Sequence, residues 1–122
     1  MADTGETKSG RFLPPLRESF QRAAWVPSAD LYRTADGWLV KFDLAGVREQ
    51  DLQLSFEGRK LTVSGCRRDL VAERGVQHIQ MEISYSRFER SVEFPEPVRG
   101  AKCELQHDAG MLLVWIRSEG RR

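Results

Sequence analysis

Apolar residues recur at every second position through most of this chain, and this period constrains the fold more than any other feature. The alternation starts at Trp38 and Val40 and continues in short segments to Leu112–Ile116, with turn signals such as Asp36-Gly37 and Ala109-Gly110 between them. A period of two predicts strands with one buried face. Since no helical period separates the segments, the sequence predicts an all-β sandwich of seven to eight short strands.

The first 24 residues lack this period. Residues 1–11 are polar and are expected to be disordered, whereas the following stretch is amphipathic. Its apolar residues are Phe12, Leu13, Leu16 and Phe20. A helix of about one and a half turns would place Leu16 and Phe20 on one face, but it is not stable alone in water. We interpret residues 1–24 as a flexible arm that docks on its own domain or on other proteins, 25–117 as one domain and 118–122 as a short tail.

The charge balance and the apolar content exclude several classes of protein. With 19 Lys and Arg against 18 Asp and Glu among 122 residues, the net charge of +1 offers no strong field for nucleic acid or an anionic membrane. The longest apolar run, Met111–Ile116, is too short to span a bilayer. The polar start, Met1–Glu6, does not resemble a signal peptide. We therefore expect a cytoplasmic protein with no membrane span and no nucleic-acid partner.

No group of residues has the spacing of a catalytic or metal site. Cys103 and His107 would be about 13 Å apart on one strand, too far to hold one ion. The sequence also lacks the nucleophile-elbow, zinc-protease and phosphate-loop motifs, so we expect no enzyme, no metal and no cofactor. The alternative is an enzyme with Cys66 or Cys103 as its nucleophile. Arg67 and Arg68 after Cys66 would favour a thiolate, but no base is adjacent.

Arg90 is the most informative single residue, because it shares a strand face with Phe88 and Phe94. An unpaired charge on a buried face costs several kcal/mol. Either the strand lies near the rim of the sheet and Arg90 reaches water, or Arg90 forms an ion pair across a subunit boundary. The candidate partners are Asp69, Glu73 and Glu82.

Two departures from simple alternation need an explanation. The apolar phase slips by one position between Tyr85 and Phe88, which predicts a bend or bulge near Ser86-Arg87. The last strand is apolar on both faces, so its second face must be covered. Either a neighbouring strand or loop covers it, or it lines a groove that binds apolar peptide segments.

Three stretches of the sequence are similar to characteristic motifs of one known family. Phe42–Val47 with Gln50-Asp51-Leu52 is similar to its D-L-P-G-V … D-I corner, with Ala45 where proline is usual. Glu82–Pro95 is similar to E-R-x-Y-G-x-F-x-R-x-F-x-L-P, with Ser86 in place of glycine, and Leu105–Leu112 to A-x-x-x-N-G-V-L. The chain thus resembles the small heat shock proteins, that is, the α-crystallin (Hsp20) domain, over roughly residues 25–117.

The resemblance implies an immunoglobulin-like β-sandwich and an ATP-independent holdase, which binds apolar segments of unfolding proteins and suppresses their aggregation. In bacterial and plant members, a strand carried on a long loop is swapped onto the first sandwich strand of the dimer partner. The implied swapped strand is His78–Tyr85, its loop is Arg67–Gly75 and its acceptor is Ser28–Thr34. The implied dimer interface consists of Arg90, Ile79, Met81, Ile83, Tyr85 and Leu31.

One departure from the family pattern leads to further expectations. The family's C-terminal I-x-I/V tail has no counterpart, since only Ser118–Arg122 follows the last strand. We therefore expect a homodimer or small homo-oligomer, able to co-assemble with other small heat shock proteins. The groove that receives such a tail is expected to bind clients or the arm, and its lining is Leu52, Leu54, Cys103 and Leu105. The alternatives are a p23/CS-type co-chaperone and a partner-dependent regulator of longer small heat shock proteins.

Overall fold

A computed structural model of the chain describes residues 7–9, 23–98 and 101–118. Within these ranges the regular structure is eight strands and one short 3-10 turn, Glu49–Asp51. The strands are β1 (Thr7–Ser9), β2 (Ala29–Thr34), β3 (Gly37–Asp43), β4 (Leu52–Glu57), β5 (Lys60–Arg67), β6 (Ser86–Glu93), β7 (Ala101–Asp108) and β8 (Met111–Ser118). Strands β3 to β8 fall on segments in which apolar residues recur at every second position, so the predicted all-β class is confirmed.

The strands form two antiparallel sheets. One has the order β1-β7-β8-β3-β2 and the other has the order β4-β5-β6. In the first sheet Val40 of β3 is opposite Val114 of β8, and in the second Val63 of β5 is opposite Leu54 and Arg90 on its two sides. The buried residues of both sheets form one hydrophobic cluster, which is the arrangement of a β-sandwich.

The core is built from the inward-facing residues of each alternating segment. The largest fully buried side chains are Phe42, Phe88, Phe94, Leu61, Leu112, Ile116, Val40, Val63 and Val114. Complete burial of one such side chain contributes about 1.5–3 kcal/mol, so this cluster supplies the main stabilisation of the fold.

A glycine makes room for one of these core side chains. Gly65 of β5 is opposite Phe88 of β6. A Cβ atom at position 65 would lie 2.1 Å from the carbonyl oxygen of Asp51 and 2.8 Å from the Phe88 ring. The close approach of β5 to the 3-10 turn therefore requires a residue without a side chain.

The predicted bend between Tyr85 and Phe88 is present. Ser86 has a φ of 77°, in the left-handed region that residues with a Cβ atom rarely adopt, and it is the first residue of β6. This conformation explains why the apolar phase changes here. It also explains why the related motif has glycine at this position, since glycine adopts a positive φ without strain.

His78–Tyr85 alternates in sequence but pairs with no strand among the described residues of its own chain. The structure differs from expectation at β1, which lies within the stretch expected to be disordered and pairs with β7, so that Thr7 is opposite Gln106 and Ser9 is opposite Glu104. No apolar alternation marks β1, because its pairing depends on backbone groups that meet the outer edge of β7.

The described part of the chain contains no helix that is both long enough and apolar enough to cross a membrane.

Candidate protein-interaction site

The outer edge of β2 is one side of the candidate site. β2 is the last strand of the five-stranded sheet, and in the described ranges no strand pairs with its outer edge. Leu31 and Tyr32 expose more than a third of their surface. Lys41 lies above the Tyr32 ring at 5.3 Å, and the contact with Tyr32 raises the pKa of Lys41. The edge therefore offers unpaired backbone groups beside partly exposed apolar surface.

The loop between β5 and β6 is the second side of the candidate site. Residues 68–84 have no regular strand structure and are almost entirely exposed. Ile79, Met81 and Ile83 expose 82%, 50% and 62% of their surface. These three apolar residues stand at alternate positions, as in a strand, but belong to neither of the two sheets that the described residues form.

Arg67 fixes the point at which this loop returns to the body of the domain. Its Nε donates to the Ser84 carbonyl oxygen at 2.9 Å and its Nη1 donates to the Ala45 carbonyl oxygen at 3.0 Å. Its guanidinium lies 4.2 Å from the Trp25 ring centroid and 5.9 Å from that of Tyr85. Arg67 therefore holds the end of the loop, while the preceding apolar residues extend into solvent.

Trp25 completes this anchor. Its indole Nε1 donates to the Ser86 carbonyl oxygen at 3.1 Å, and its ring packs against Phe88 with the centroids 5.0 Å apart. A single parallel bridge joins Trp25 to Phe88 at the edge of the three-stranded sheet. Sequence reasoning missed the roles of both Trp25 and Arg67, because their contacts join residues far apart in the chain and no local pattern marks them.

The first part of the loop is held by charged groups. The guanidinium of Arg68 donates to both oxygens of the Asp51 carboxylate, each at 3.0 Å. The same contact lowers the pKa of Asp51 and raises the pKa of Arg68. Asp69 lies 3.7 Å from His78 Nε2, and its Oδ1 accepts a hydrogen bond from the backbone of Val71. Both ends of the loop are therefore attached to structured residues.

Arg90 is half-buried, and within the described ranges its guanidinium donates to two backbone oxygens. Its Nη1 donates to Pro27 at 3.3 Å and its Nε donates to Ser91 at 3.2 Å. Of its candidate partners, Asp69 pairs with His78 and Glu82 accepts a hydrogen bond from Gln80. The ion pair of Arg90 across a subunit boundary stays a prediction.

The predicted groove residues lie inside the molecule. Leu52, Leu54, Cys103 and Leu105 are each 8% exposed or less and belong to the hydrophobic core. Burial raises the pKa of the Cys103 thiol to about 12, which makes Cys103 a poor nucleophile. A groove with this lining stays a prediction. The predicted arm residues, Phe12, Leu13, Leu16 and Phe20, lie outside the described residues.

The second apolar face of β8 lies on the outside of the five-stranded sheet. Trp115 of this face is opposite Leu39 of β3, and its Nε1 donates to Gln106 Oε1 of β7 at 2.9 Å. Met111, Leu113 and Trp115 are each half-buried. Neighbouring strands therefore contribute to covering this face, which agrees with cover by a neighbouring strand or loop.

The side chains do not assemble a metal site in the parts of the chain that the structure describes, where no three His, Cys, Asp or Glu residues lie close enough to share an ion. Cys66 and Cys103 are both free thiols, the first half-buried and the second buried.

Comparison with known proteins agrees with this geometry. The profile of the Hsp20/alpha crystallin family matches residues 30–121. Spore protein SP21 of Stigmatella aurantiaca is 30% identical over 93 residues, covering 76% of this chain and 55% of that protein. Small heat shock protein C2 of Rickettsia felis is 22% identical, covering 75% of this chain and 59% of that protein. The chain thus spans about half the length of the curated relatives that it matches.

Solved structures show the same fold. Heat shock protein 16.0 from Schizosaccharomyces pombe superposes with a TM-score of 0.68 at 24% identity, covering 90% of this chain and 78% of the other. A second likeness, with a TM-score of 0.66 and 23% identity, is to HSP18.5 from E. histolytica, covering 80% of this chain and 92% of the other. Since the family profile covers most of the domain and the sandwich agrees with it, this chain belongs to the Hsp20/alpha crystallin family of small heat shock proteins.

Proposed function

We propose that this protein is an ATP-independent holdase, which binds exposed apolar segments of unfolding proteins and suppresses their aggregation. Family membership implies a chaperone rather than an enzyme. The observation that carries the proposal is the exposed alternating series Ile79, Met81 and Ile83 beside sheet edges such as β2. Apolar surface next to unpaired backbone groups is what an extended segment of another chain recognises.

The first partner of this surface is a second copy of the chain. In the proposed homodimer, His78–Tyr85 of one copy adds to Ser28–Thr34 of the other as a sixth strand of the five-stranded sheet. Two observations support this exchange: among the described residues the segment pairs with no strand, and no described strand pairs with the outer edge of β2. Leu31 of β2 would then pack against the apolar side chains of the added strand. The proposal includes small homo-oligomers and co-assembly with other small heat shock proteins.

Arg90 lies at the base of the proposed interface. Its Nη1 contacts the carbonyl oxygen of Pro27, just before the acceptor strand. A half-buried guanidinium bonded to neutral oxygens gains a further charge-assisted bond if a carboxylate of the second copy approaches. Asp69, Glu73 and Glu82 on the exchanged loop are the candidates.

Clients are proposed to bind at two places, the arm and the groove. The arm, residues 1–24, supplies Phe12, Leu13, Leu16 and Phe20, and the domain, 25–117, supplies Leu52, Leu54, Cys103 and Leu105. Because the groove residues are buried in this structure, client contact there requires a change at the neighbouring β7 edge. We place this activity in the cytoplasm, which is consistent with the two free thiols.

The test is light scattering of a client destabilised by heat or by reductant, with and without this protein and with no nucleotide present. Suppression near stoichiometric amounts is expected. Serine at Phe12 and Phe20 should weaken suppression more than serine at the polar arm positions Arg17 and Gln21, which serve as the matched control. If the folded wild-type dimer gives no suppression, the holdase proposal is wrong, and a partner-dependent regulator of longer small heat shock proteins takes its place.

A further inference from the structure

We propose that Arg67 and Trp25 form a clamp that fixes the direction of the exchanged segment relative to β2 of the same chain. This geometry makes strand exchange close as a two-fold dimer rather than extend into open chains. The inference rests on the proposed function, because it concerns the exchange of His78–Tyr85 and names what decides its product.

On the donor side, the clamp holds the last residues of the exchanged segment. Arg67 Nε donates to the Ser84 carbonyl oxygen at 2.9 Å, and the guanidinium lies 5.9 Å from the Tyr85 ring centroid. The next residue, Ser86, has a φ of 77°, and its carbonyl oxygen accepts a hydrogen bond from Trp25 Nε1 at 3.1 Å. A residue with a Cβ atom keeps such a conformation only where the surrounding contacts enforce it. The direction in which the segment leaves the domain is therefore fixed.

On the acceptor side, the same clamp holds the residues that lead into β2. Only Val26–Ser28 separates Trp25 from the start of that strand. The backbone nitrogen of Trp25 donates to the Arg87 carbonyl oxygen at 3.3 Å, and its carbonyl oxygen accepts from the backbone nitrogen of Glu89 at 3.4 Å. The Trp25 ring centroid lies 4.2 Å from the Arg67 guanidinium. One pair of side chains therefore connects the donated segment to the acceptor strand of the same chain.

Arg67 also attaches the clamp to the body of the domain. It is the last residue of β5, and its Nη1 donates to the Ala45 carbonyl oxygen at 3.0 Å, at the corner that follows β3. A planar guanidinium that donates to two carbonyl oxygens and lies near two aromatic rings is held in one orientation. A lysine carries a compact charge without this planar fork, so it cannot reproduce the set of contacts. The clamp is therefore specific for arginine.

The fixed geometry decides which assembly the exchange gives. In a two-fold dimer each chain donates and accepts at one interface, so the second exchange occurs within an existing complex. Its effective concentration is high where the second segment already points to β2 of the partner. A segment that left the domain in several directions would also reach a third chain, and open chains would follow. The clamp therefore favours the closed dimer.

The clamp itself is tested in single chains, so that dimer formation does not enter the result. In the background Ile79→Ser with Ile83→Ser, nuclear magnetic resonance follows the exchange of tryptophan indole protons with solvent. Arg67→Gln should speed the exchange of the Trp25 proton by on the order of tenfold, because the clamp opens more often. The indole of Trp115, which donates within the five-stranded sheet, is the internal reference and should keep its rate. An unchanged rate at Trp25 would overturn the proposal.

The effect on assembly is tested by sedimentation velocity of chains with the intact exchanged segment. Arg67→Lys keeps the charge and Trp25→Phe keeps a ring against Phe88, so circular dichroism should show both variants folded. Both should weaken the dimer by on the order of tenfold and form species larger than a dimer as the concentration rises. The control, Arg74→Gln, removes a charge from an exposed position of the same loop and should keep the wild-type distribution.

The outcomes separate the clamp from the proposed function. If the wild-type protein is a dimer and both clamp variants form only dimers with the wild-type dissociation constant, the clamp is disproved while the exchange stands. If the wild-type protein is monomeric at all concentrations, the exchange is wrong and the role of the clamp in assembly fails with it. If the clamp variants behave as expected but the wild-type protein does not protect a client, the clamp stands and the holdase function fails.

Discussion

Serine at both Ile79 and Ile83 should dissociate the proposed dimer. In the single chain these side chains are 82% and 62% exposed, and in the proposed dimer they would pack against β2 of the partner. Since complete burial of an isoleucine is worth about 1.5–3 kcal/mol, the two exposed fractions together represent about 2–4 kcal/mol per chain. Each dimer contains the exchanged strand twice, so the upper limit is about 4–8 kcal/mol, and burial of half of this surface would still weaken association by roughly thirtyfold to a thousandfold on substitution.

The measurement is sedimentation velocity over a wide range of protein concentrations. The matched control is serine at Gln80, which alternates with the isoleucines and points to the other face of an extended strand. The control variant should keep the wild-type dissociation constant, and both variants should keep the wild-type circular dichroism because the substituted side chains lie outside the core.

The reasoning is refuted if the isoleucine variant stays dimeric at the lowest concentrations at which the wild-type protein is dimeric. It is equally refuted if the control variant dissociates to the same extent, because the effect would then come from a general disturbance of the loop. A wild-type protein that is monomeric at all concentrations would refute the exchange and favour the p23/CS-type alternative.

Three further predictions concern the domain itself. Thiol labelling of the folded protein should modify Cys66 first and Cys103 only on unfolding, since burial raises the pKa of Cys103 to about 12; equal labelling rates would contradict this. Gly65→Ala should lower the free energy of unfolding by about 1–3 kcal/mol, because its Cβ atom overlaps the Asp51 carbonyl oxygen; urea unfolding measures this, and an unchanged midpoint is the contrary result. Arg68→Gln should lower the thermal midpoint at neutral pH. Arg68 depresses the pKa of Asp51, so its contribution is present above the unfolded-state pKa of about 4 and is lost as the pH falls through the lower folded-state pKa. The difference between variant and wild type should vanish once Asp51 is protonated, and a constant difference would refute the ion-pair explanation.

The sequence was sufficient for the strand pattern, because burial on alternate positions is a local property of each strand. Phe42 and Val63, for example, fall on the inward faces of β3 and β5 as their parity predicts. The bend at Ser86 was equally visible as a change of phase. These features depend on residues a few positions apart, which a period of two records directly.

The candidate site was predicted less completely. The exposed series Ile79, Met81 and Ile83 could be identified from its period, but its exposure could not, since the same pattern is typical of a strand paired within its own chain. The Arg67 anchor joins Trp25, Ala45 and Ser84 through contacts between distant segments. No local signal marks such a contact, so sequence reasoning assigned Arg67 only to a polar loop.

By itself, the sequence determined the all-β class, the inward faces of β3 to β7 and, through three motifs in register, the resemblance to the small heat shock proteins. Only the tertiary structure decided which sheet edges are open, that β1 covers β7, and that the loop of Ile79 is held at Arg67 while its apolar residues stay exposed. The physical reason is the range of the interactions. The alternation of side chains between two faces depends only on residues that are adjacent in the sequence. Whether a sheet edge is open or covered depends instead on which strands, distant in the sequence, pair with each other.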